Sequence, residues 1–429
     1  MVRLNAPARG IPPALYTPDE FQAAADALAA GTGPIAIDTE RAGNYRYDDR
    51  AFLLQLRRAD TDTFLIAPEG HRDAVAKILG PVINGKQWIL HSARNDLPCL
   101  AWLGLHPGEL FDTEVASRLA GFRRPSLLNM MDQLLDLQID KAHSMANWSA
   151  YPLPKSWLAY AALDVEHLIE LAEELEFLLE EDGYLEWAEE EFRHIVELFK
   201  GPCEPEEGNW RSTKGMGSLR SSQQLAVARA LWFDRDESAK AMDASPFAIL
   251  PNKTLIEAAR TLPDSYRDVT RLPQFPRDRP GAAEHILKVI DNALDTDPTT
   301  WPDLHGPAPS SLPKQLWKNN FSNSWSSYQN VRDEIAGEAE ELDLQVDLVI
   351  EPHALTDVFW AFVHSALTHP GVEAKDSVNT STRKLIDRVE PLSLSWLSPT
   401  DIEPALATAG VRPWQRRIVT PILRRRLFP

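Results

Sequence analysis

Cysteine is nearly absent from this chain: Cys99 and Cys203 are the only two in 429 residues. They form no Cys-x-x-Cys, which argues against both a disulfide framework and a thiolate zinc site. Long apolar runs are missing too, and none reaches the roughly 20 residues needed to span a bilayer. The opening stretch Met1-Val2-Arg3-Leu4-Asn5-Ala6-Pro7 has no apolar signal core, so a cytoplasmic protein without membrane contact is expected. Positive charge is also scarce. Lys and Arg number 44 against 63 Asp and Glu, a net charge of −19 with an isoelectric point near 5.0. That balance argues against sequence-independent coating of a duplex, which depends on neutralising phosphates. It does not exclude a phosphate-bearing ligand, because much of the acidity is local. Between Glu166 and Glu191 stand twelve Asp or Glu and no Lys or Arg, a run that reads as a solvated helix face.

What is present has the balance of a globular protein, 44% hydrophobic and 25% charged. The length exceeds what one core usually serves, so two or three domains are expected. Residues 1–17 are Pro-rich and read as irregular. Thr17-Pro18-Asp19-Glu20 then opens an Ala-rich helix, with Thr as N-cap, Pro in the first turn and acids favoured by the dipole; Gly31 and Gly33 close it. Strands are expected at 35–39, 52–57, 63–66 and 88–91, the second and third as a hairpin. Helices are expected from Arg72 and over 96–103. Strands first, then alternation with helices, point to a mixed α/β sheet. From about 126 onward the periodicity is helical. Gly201-Pro202-Cys203-Glu204-Pro205 and the segment from Asp297-Pro298 through Pro313, with Pro302, Pro307 and Pro309, are linker-like. They divide the chain into units at 1–200, 212–296 and 314–429, the last two being helical and conceivable as distant copies of one design.

The residues that carry chemistry are carboxylates. Ile35-Ala36-Ile37 ends in Asp38-Thr39-Glu40, and on a strand residues i and i+2 share a face. Two carboxylates held so close repel, and burial raises their pKa values unless a cation lies between them; hard divalent ions take such ligands. A strand end fraying into a polar turn is the plain alternative. Further acids stand in comparable settings. Asp96 in His91-Ser92-Ala93-Arg94-Asn95-Asp96-Leu97 follows a strand at a helix start, where it also suits a cap. Asp112 opens another helix in Phe111-Asp112-Thr113. Tyr160 and Asp164 are four residues apart, hence on one helix face. His91 reads as a packed or supporting residue rather than a ligand.

Together these residues resemble the DEDD superfamily of 3′→5′ exonucleases in its Tyr-x-x-x-Asp branch, and more closely the ribonuclease D family. Asp38-Thr39-Glu40 is similar to its first motif, Asp96 to its second, and Tyr160 with Asp164 to its third. Tyr45-Arg46-Tyr47, Gln55-Leu56, Phe111-Asp112-Thr113, Lys141 and Trp148 agree with it, and the likeness covers most of 30–195. The resemblance implies an α/β, ribonuclease H-like exonuclease domain with a mixed sheet, followed by two all-helical HRDC-type domains. It further implies two divalent ions, Mg²⁺ or Mn²⁺. Asp38, Glu40 and Asp164 would hold one, and Asp38 and Asp96, directly or through water, the other. Tyr160 would orient the nucleophilic water. The expected activity is release of nucleoside 5′-monophosphates from RNA with a free 3′ end, such as tRNA precursors. A 3′→5′ DNA exonuclease acting on single strands and a non-catalytic RNA-binding module remain the alternatives. Presence of all four acids and Tyr160 disfavours the latter.

Residues 219–296 resemble an HRDC domain through Leu225, Arg229, Arg235-Asp236-Glu237-Ser238-Ala239, Ser245 to Pro251, Leu255 and Leu262-Pro263. The glycine usual after the later Leu-Pro step is replaced by Gln274. Arg211, Lys214 and Arg220 at its start are candidates for phosphate contact or plain solvated cations. Residues 345–427 resemble a second, divergent unit of this type. Its Pro413-Trp414-Gln415-Arg416-Arg417 and Arg424-Arg425-Arg426 either steer RNA or complement a helix dipole. Relatives usually carry Asp-Trp at Asn147-Trp148 and Arg-Pro-Leu at Tyr151-Pro152-Leu153. If the family's Asp and Arg form an ion pair, its joint loss here fits a structural role; if the family's Arg instead touches the substrate backbone, this chain would bind substrate more weakly or differently.

Overall fold

A computed structural model describes residues 2–139, 143, 145–201, 203–205, 208–304, 314–320, 322–368 and 398–428. Lys141, Pro202, Pro307, Pro309 and Pro313, singled out above, lie outside the described residues, as does the middle of the last unit. The N-terminal unit runs β1 (Val2–Leu4), β2 (Ala14–Leu15), α1 (Pro18–Ala30), β3 (Ile35–Arg41), β4 (Ala51–Arg57), β5 (Phe64–Ile66), α2 (Arg72–Ile83) and β6 (Gln87–Leu90). It continues with α3 (Ala93–Trp102), β7 (Glu109–Asp112), α4 (Thr113–Leu119), α5 (Leu127–Leu135), β8 (Leu137–Ile139), α6 (Lys155–Glu166), α7 (Leu168–Asp182) and α8 (Leu185–Leu198). The main sheet has the order β2-β5-β4-β3-β6-β7. Pairing is antiparallel in β5-β4-β3 and parallel elsewhere, so the sheet is mixed as expected. The first seventeen residues are not wholly irregular. Ala14–Leu15 adds an edge strand to β5, and Val2–Leu4 pairs with β8.

Local chemistry fixes the elements that frame the site. At α1 the Thr17 hydroxyl accepts from the Glu20 N–H while Glu20 Oε2 accepts from the Thr17 N–H at 2.9 Å, a reciprocal cap. Strand β4 is buried along Ala51–Leu56. Its even residues Leu54 and Leu56 join the large core with Ile35, Ile37 and Ile66, whereas Leu53 joins Leu65, Leu158, Ala161 and Ala162 beneath α6. One face of the sheet is thus given to the main core, the other to α6.

The second unit contains α9 (Ser222–Met242), α10 (Pro246–Ile249), α11 (Asn252–Thr261), α12 (Tyr266–Val269) and α13 (Ala282–Leu294) around its own apolar core. Arg235 is buried there, donating to Leu250 O and Asn252 Oδ1. Gln274, standing where glycine is usual, adopts φ 58°, so the left-handed turn persists without the residue that suits it. The last unit comprises α14 (Lys314–Asn320), α15 (Ser322–Glu341), α16 (Val346–Val349), α17 (Pro352–Thr368), α18 (Ile402–Thr408) and α19 (Pro413–Leu427). The α9–α11 turn recurs in it 100 residues later. Asp243 and Asp343 are both left-handed, Ala244 and Leu344 donate to Ala239 O and Ala339 O, and a one-turn helix follows each. Among the described residues, no helix is long and apolar enough to cross a membrane.

The two helical units dock differently. The last unit shares one continuous apolar core with the N-terminal unit, where Trp187 and Trp414 stack with ring centres 4.9 Å apart. The second unit is clamped by charge: Asp243 receives Arg46 Nη1 at 3.0 Å and Arg50 Nη2 at 2.7 Å, and Tyr47 donates to Asp236.

This docking corrects the reading of Glu166–Glu191 as one solvated face. Glu191 is buried, accepting from Arg412 Nε at 2.6 Å and Trp414 Nε1 at 2.8 Å. Glu190 accepts from Trp414 N and Arg417, and buried Glu166 accepts from Ala8 N. The basic run near the C-terminus is likewise engaged. Arg416 pairs with Glu403, and Arg425 and Arg426 pair with Glu334. Arg424, Arg425 and Arg426 do occupy the last turn of α19, as the dipole reading requires. Arg412, Arg416 and Arg417 sit at its opposite end, where only neighbouring acids favour them.

Candidate active site

Strand β3 and helix α6 bring the predicted carboxylates together. Asp38 and Glu40 project from one side of β3, and Asp164 descends from α6. Carboxylate oxygens of these three residues lie within 4.8 Å of one another. Glu40 and Asp164 are buried, and Asp38 keeps a partly exposed edge. Burial, reinforced by the charges of Asp38, Asp164 and Asp96, pushes Glu40 up to about 10, and burial pushes Asp164 to about 8 against the opposing hydrogen bond with Tyr160. Asp38 is raised by burial and by the charges of Asp96 and Asp164. Three hard oxygen donors that resist ionisation when bare are the donor set a divalent cation requires, so these residues fit such an ion.

Asp96 falls outside that trio. It lies in the first turn of α3, which starts three residues earlier than expected, and its Oδ1 accepts a 2.6 Å hydrogen bond from Thr39 Oγ1. Burial lifts it to about 6, with Thr39 and Arg41 holding it down. It does not cap the helix. That task belongs to Asp112, whose carboxylate accepts from the N–H groups of Ser92 and Ala93 at the start of α3 and of Glu114 and Val115 at the start of α4. One buried acid therefore sets the direction of both helices. Ser92 is left-handed at φ 64°, which turns the chain from β6 into α3.

Tyr160 lies beside Asp164, one turn away on α6. Burial and the charges of Asp164, Glu40 and Asp38 raise its phenol above the ordinary tyrosine range. It faces an aromatic group in which Trp148 lies 6.4 Å away and His143 packs edge-on at 6.0 Å. His91 is held in the interior by Thr113, 2.9 Å from Nδ1, and burial lowers it to about 4. It is a neutral packed residue.

Asn147 and Tyr151, which stand where relatives carry Asp and Arg, each have their own partner. Asn147 Oδ1 accepts from Ser149 Oγ at 2.6 Å, and Ser149 Oγ in turn accepts from Arg46 Nε at 2.8 Å. Tyr151 is exposed and packs edge-on against Tyr16. The two substitutions have separate settings. Arg46, which also binds Asp243, connects the second unit to the turn carrying Trp148.

Residues 13–180 match the family of 3′-5′ exonuclease domains, and residues 224–279 match the HRDC domain. Ribonuclease D of Bartonella henselae is 28% identical over 280 residues, 64% of this chain and 68% of that enzyme. The matched region spans about two thirds of the length of such curated relatives. A crystal structure of a protein from Bifidobacterium adolescentis superposes over the whole of both chains with a TM-score of 0.81 at 28% identity. Escherichia coli RNase D, described as an exoribonuclease involved in structured RNA processing, shares the fold. Its TM-score is 0.62 at 21% identity, over 92% of this chain and 98% of that one.

Proposed function

This chain belongs to the ribonuclease D family, and we propose that it is a metal-dependent 3′→5′ exoribonuclease of the cytoplasm that trims structured RNAs such as tRNA precursors. The observation that carries the reading is the convergence of Asp38, Glu40 and Asp164 within 4.8 Å under a tyrosine. Two divalent ions, Mg²⁺ or Mn²⁺, would supply activation of a water molecule and neutralisation of charge on the leaving 3′-oxygen. Asp38, Glu40 and Asp164 are assigned to one ion. Asp38 and Asp96 are assigned to the other, the hydrogen bond from Thr39 favouring a water-mediated role for Asp96. Tyr160, its phenol raised by burial and three acids, keeps its proton at neutral pH. It therefore orients the attacking water by hydrogen bonding and does not remove its proton. The products are nucleoside 5′-monophosphates and an RNA shortened by one residue with a new 3′-hydroxyl.

We assign the last unit as a second HRDC-type module on the strength of the turn it shares with α9–α11. Both modules are assigned to substrate choice, since every catalytic candidate precedes residue 165. Matched RNA and DNA single strands with free 3′ ends test the activity. Mg²⁺-dependent release of 5′-monophosphates from RNA in preference to DNA is expected. Preferential DNA cleavage would make the chain a DNA exonuclease, and inertness on both would leave a binding module.

A further inference from the structure

Beneath the three carboxylates lies one polar residue that the chemistry above does not use. Gln55 stands in a strand otherwise apolar from Ala51 to Leu56, and it is fully buried. Neither its Nε2 nor its Oε1 has a hydrogen-bond partner. Buried amides are almost always paired, so one with both ends orphaned calls for an explanation. Its register supplies one. Gln55 is the direct cross-strand partner of Asp38 in the antiparallel β3–β4 pair, with Leu65 on its other side. Directly opposed residues project from the same face of a sheet, and this is the face that α6 covers with Asp164. The unpaired amide therefore shares its face with the Asp38 carboxylate.

We infer that Gln55 is a positioning residue for the metal site, its amide donating to the Asp38 carboxylate and holding it in the ligating orientation once a divalent ion is bound. This inference rests on the metal-dependent reading above. Carboxylate ligands are commonly fixed by hydrogen bonds from a surrounding layer, and loss of such a partner typically weakens metal affinity about 10–100-fold. Leucine would fill this position at no polar cost, as Leu53 does two residues earlier on the same face.

The test uses full-length Gln55→Met, which keeps the side chain's length and removes both polar atoms, and Gln55→Leu as a second packing solution. Melting in EDTA is compared with calorimetric titration of Mn²⁺ into each protein, with Asp38→Asn as reference. Expected is a metal-free variant at least as stable as the parent whose Mn²⁺ affinity falls about 10–100-fold. Affinity within twofold of the parent overturns the inference and leaves Gln55 satisfied by buried water. Melting below the parent by both variants in EDTA also overturns it, because the amide would then be bonded without metal. A parent that binds Mn²⁺ no better than Asp38→Asn defeats the metal-site reading itself, a distinct outcome.

Discussion

Removing one carboxylate from the cluster should stabilise the metal-free protein, and the structure sets the size and the pH window of the effect. Asp164 is pushed to about 8 by burial, whereas in the unfolded chain it ionises near 3.9. At pH 7 the folded chain retains a proton that the unfolded chain has released. Folded-state proton excess means that stability falls as pH rises from about 4 through about 8. Some three pH units at about 1.4 kcal/mol each give a ceiling of about 4 kcal/mol at pH 7. Asp38 and Glu40 share the same repulsion, and an asparagine amide must still find partners in the cleft. We therefore expect Asp164→Asn to gain about 1–3 kcal/mol in EDTA at pH 7. That is a rise in melting temperature of roughly 2–4 °C per kcal/mol for a domain of this size. The gain should shrink toward zero as the pH falls to 4. Excess Mg²⁺ should reverse the order, raising the parent above the variant. Thermal melting at pH 4, 5, 7 and 8, with and without Mg²⁺, reads all of this. A variant no more stable than the parent at pH 7, or equally favoured at pH 4, would refute the convergence of charge.

Other consequences are more direct. Asp38→Ala should abolish hydrolysis in Mg²⁺ while leaving the circular dichroism spectrum unchanged; chelation should silence the parent, with Mn²⁺ restoring it. Normal turnover by Asp38→Ala would sink the two-metal assignment. Arg412→Ala removes the cation from buried Glu191, leaving Trp414 Nε1 as its described partner. A loss of about 3–5 kcal/mol is expected in denaturant melts, and a loss below about 1 kcal/mol would place that pair in effectively aqueous surroundings. Gln274→Gly relieves a left-handed side chain at φ 58° and should raise the stability of the second unit by about 1 kcal/mol; no gain would mean that the Gln274 side chain earns its conformation by contacts.

Much of the N-terminal unit was legible because its signals are local. The Thr17 cap, the apolar run entering Asp38 and the four-residue step from Tyr160 to Asp164 each express one element's own periodicity. The short strands Val2–Leu4, Ala14–Leu15, Glu109–Asp112 and Leu137–Ile139 were missed, since two to four residues carry little period and their partners lie elsewhere in the chain. Asp96 looked like a cap because caps are judged by sequence position. Its true partner is Thr39, and the capping falls to Asp112, a residue 16 positions later that only the sheet brings near. Gln55 was visible as a family match, but its isolation follows from burial and register, neither of which a sequence states. Asn147 and Tyr151 both depart from the pattern usual in relatives. In the fold one serves Ser149 and the other Tyr16.

The acidic run and the basic tail were treated as two separate electrostatic features, yet the fold sets them against each other. Glu190 and Glu191 on α8 accept Arg417, Arg412 and the Trp414 backbone and indole, while Arg425 and Arg426 are tied to Glu334. Arginine is well suited to such partly buried pairing because its guanidinium matches carboxylate geometry and stays charged. Arg425 and Arg426 stay half-exposed or more within their pairs, 62% and 50% at the side chain, so their charge is partly neutralised and still faces solvent. The contacts at Glu190 and Glu191 hold α19 on α8 beside stacked Trp187 and Trp414, fastening the last unit to the N-terminal one through a shared core. Those at Glu334 tie α19 to α15 within the last unit. The second unit, held at Asp243 and Asp236, has among the described residues a core of its own. A turn of the same construction thus meets the N-terminal unit twice. At Asp243 it meets arginines beside the Trp148 turn. One hundred residues later, Leu342 O accepts from Tyr184 and Asp347 binds Arg118. Among the described residues, the last unit joins the main core and not the cluster beneath α6 that includes Tyr160, whereas the charge-clamped unit reaches, through Arg46 and Ser149, the turn whose tryptophan lies beside Tyr160.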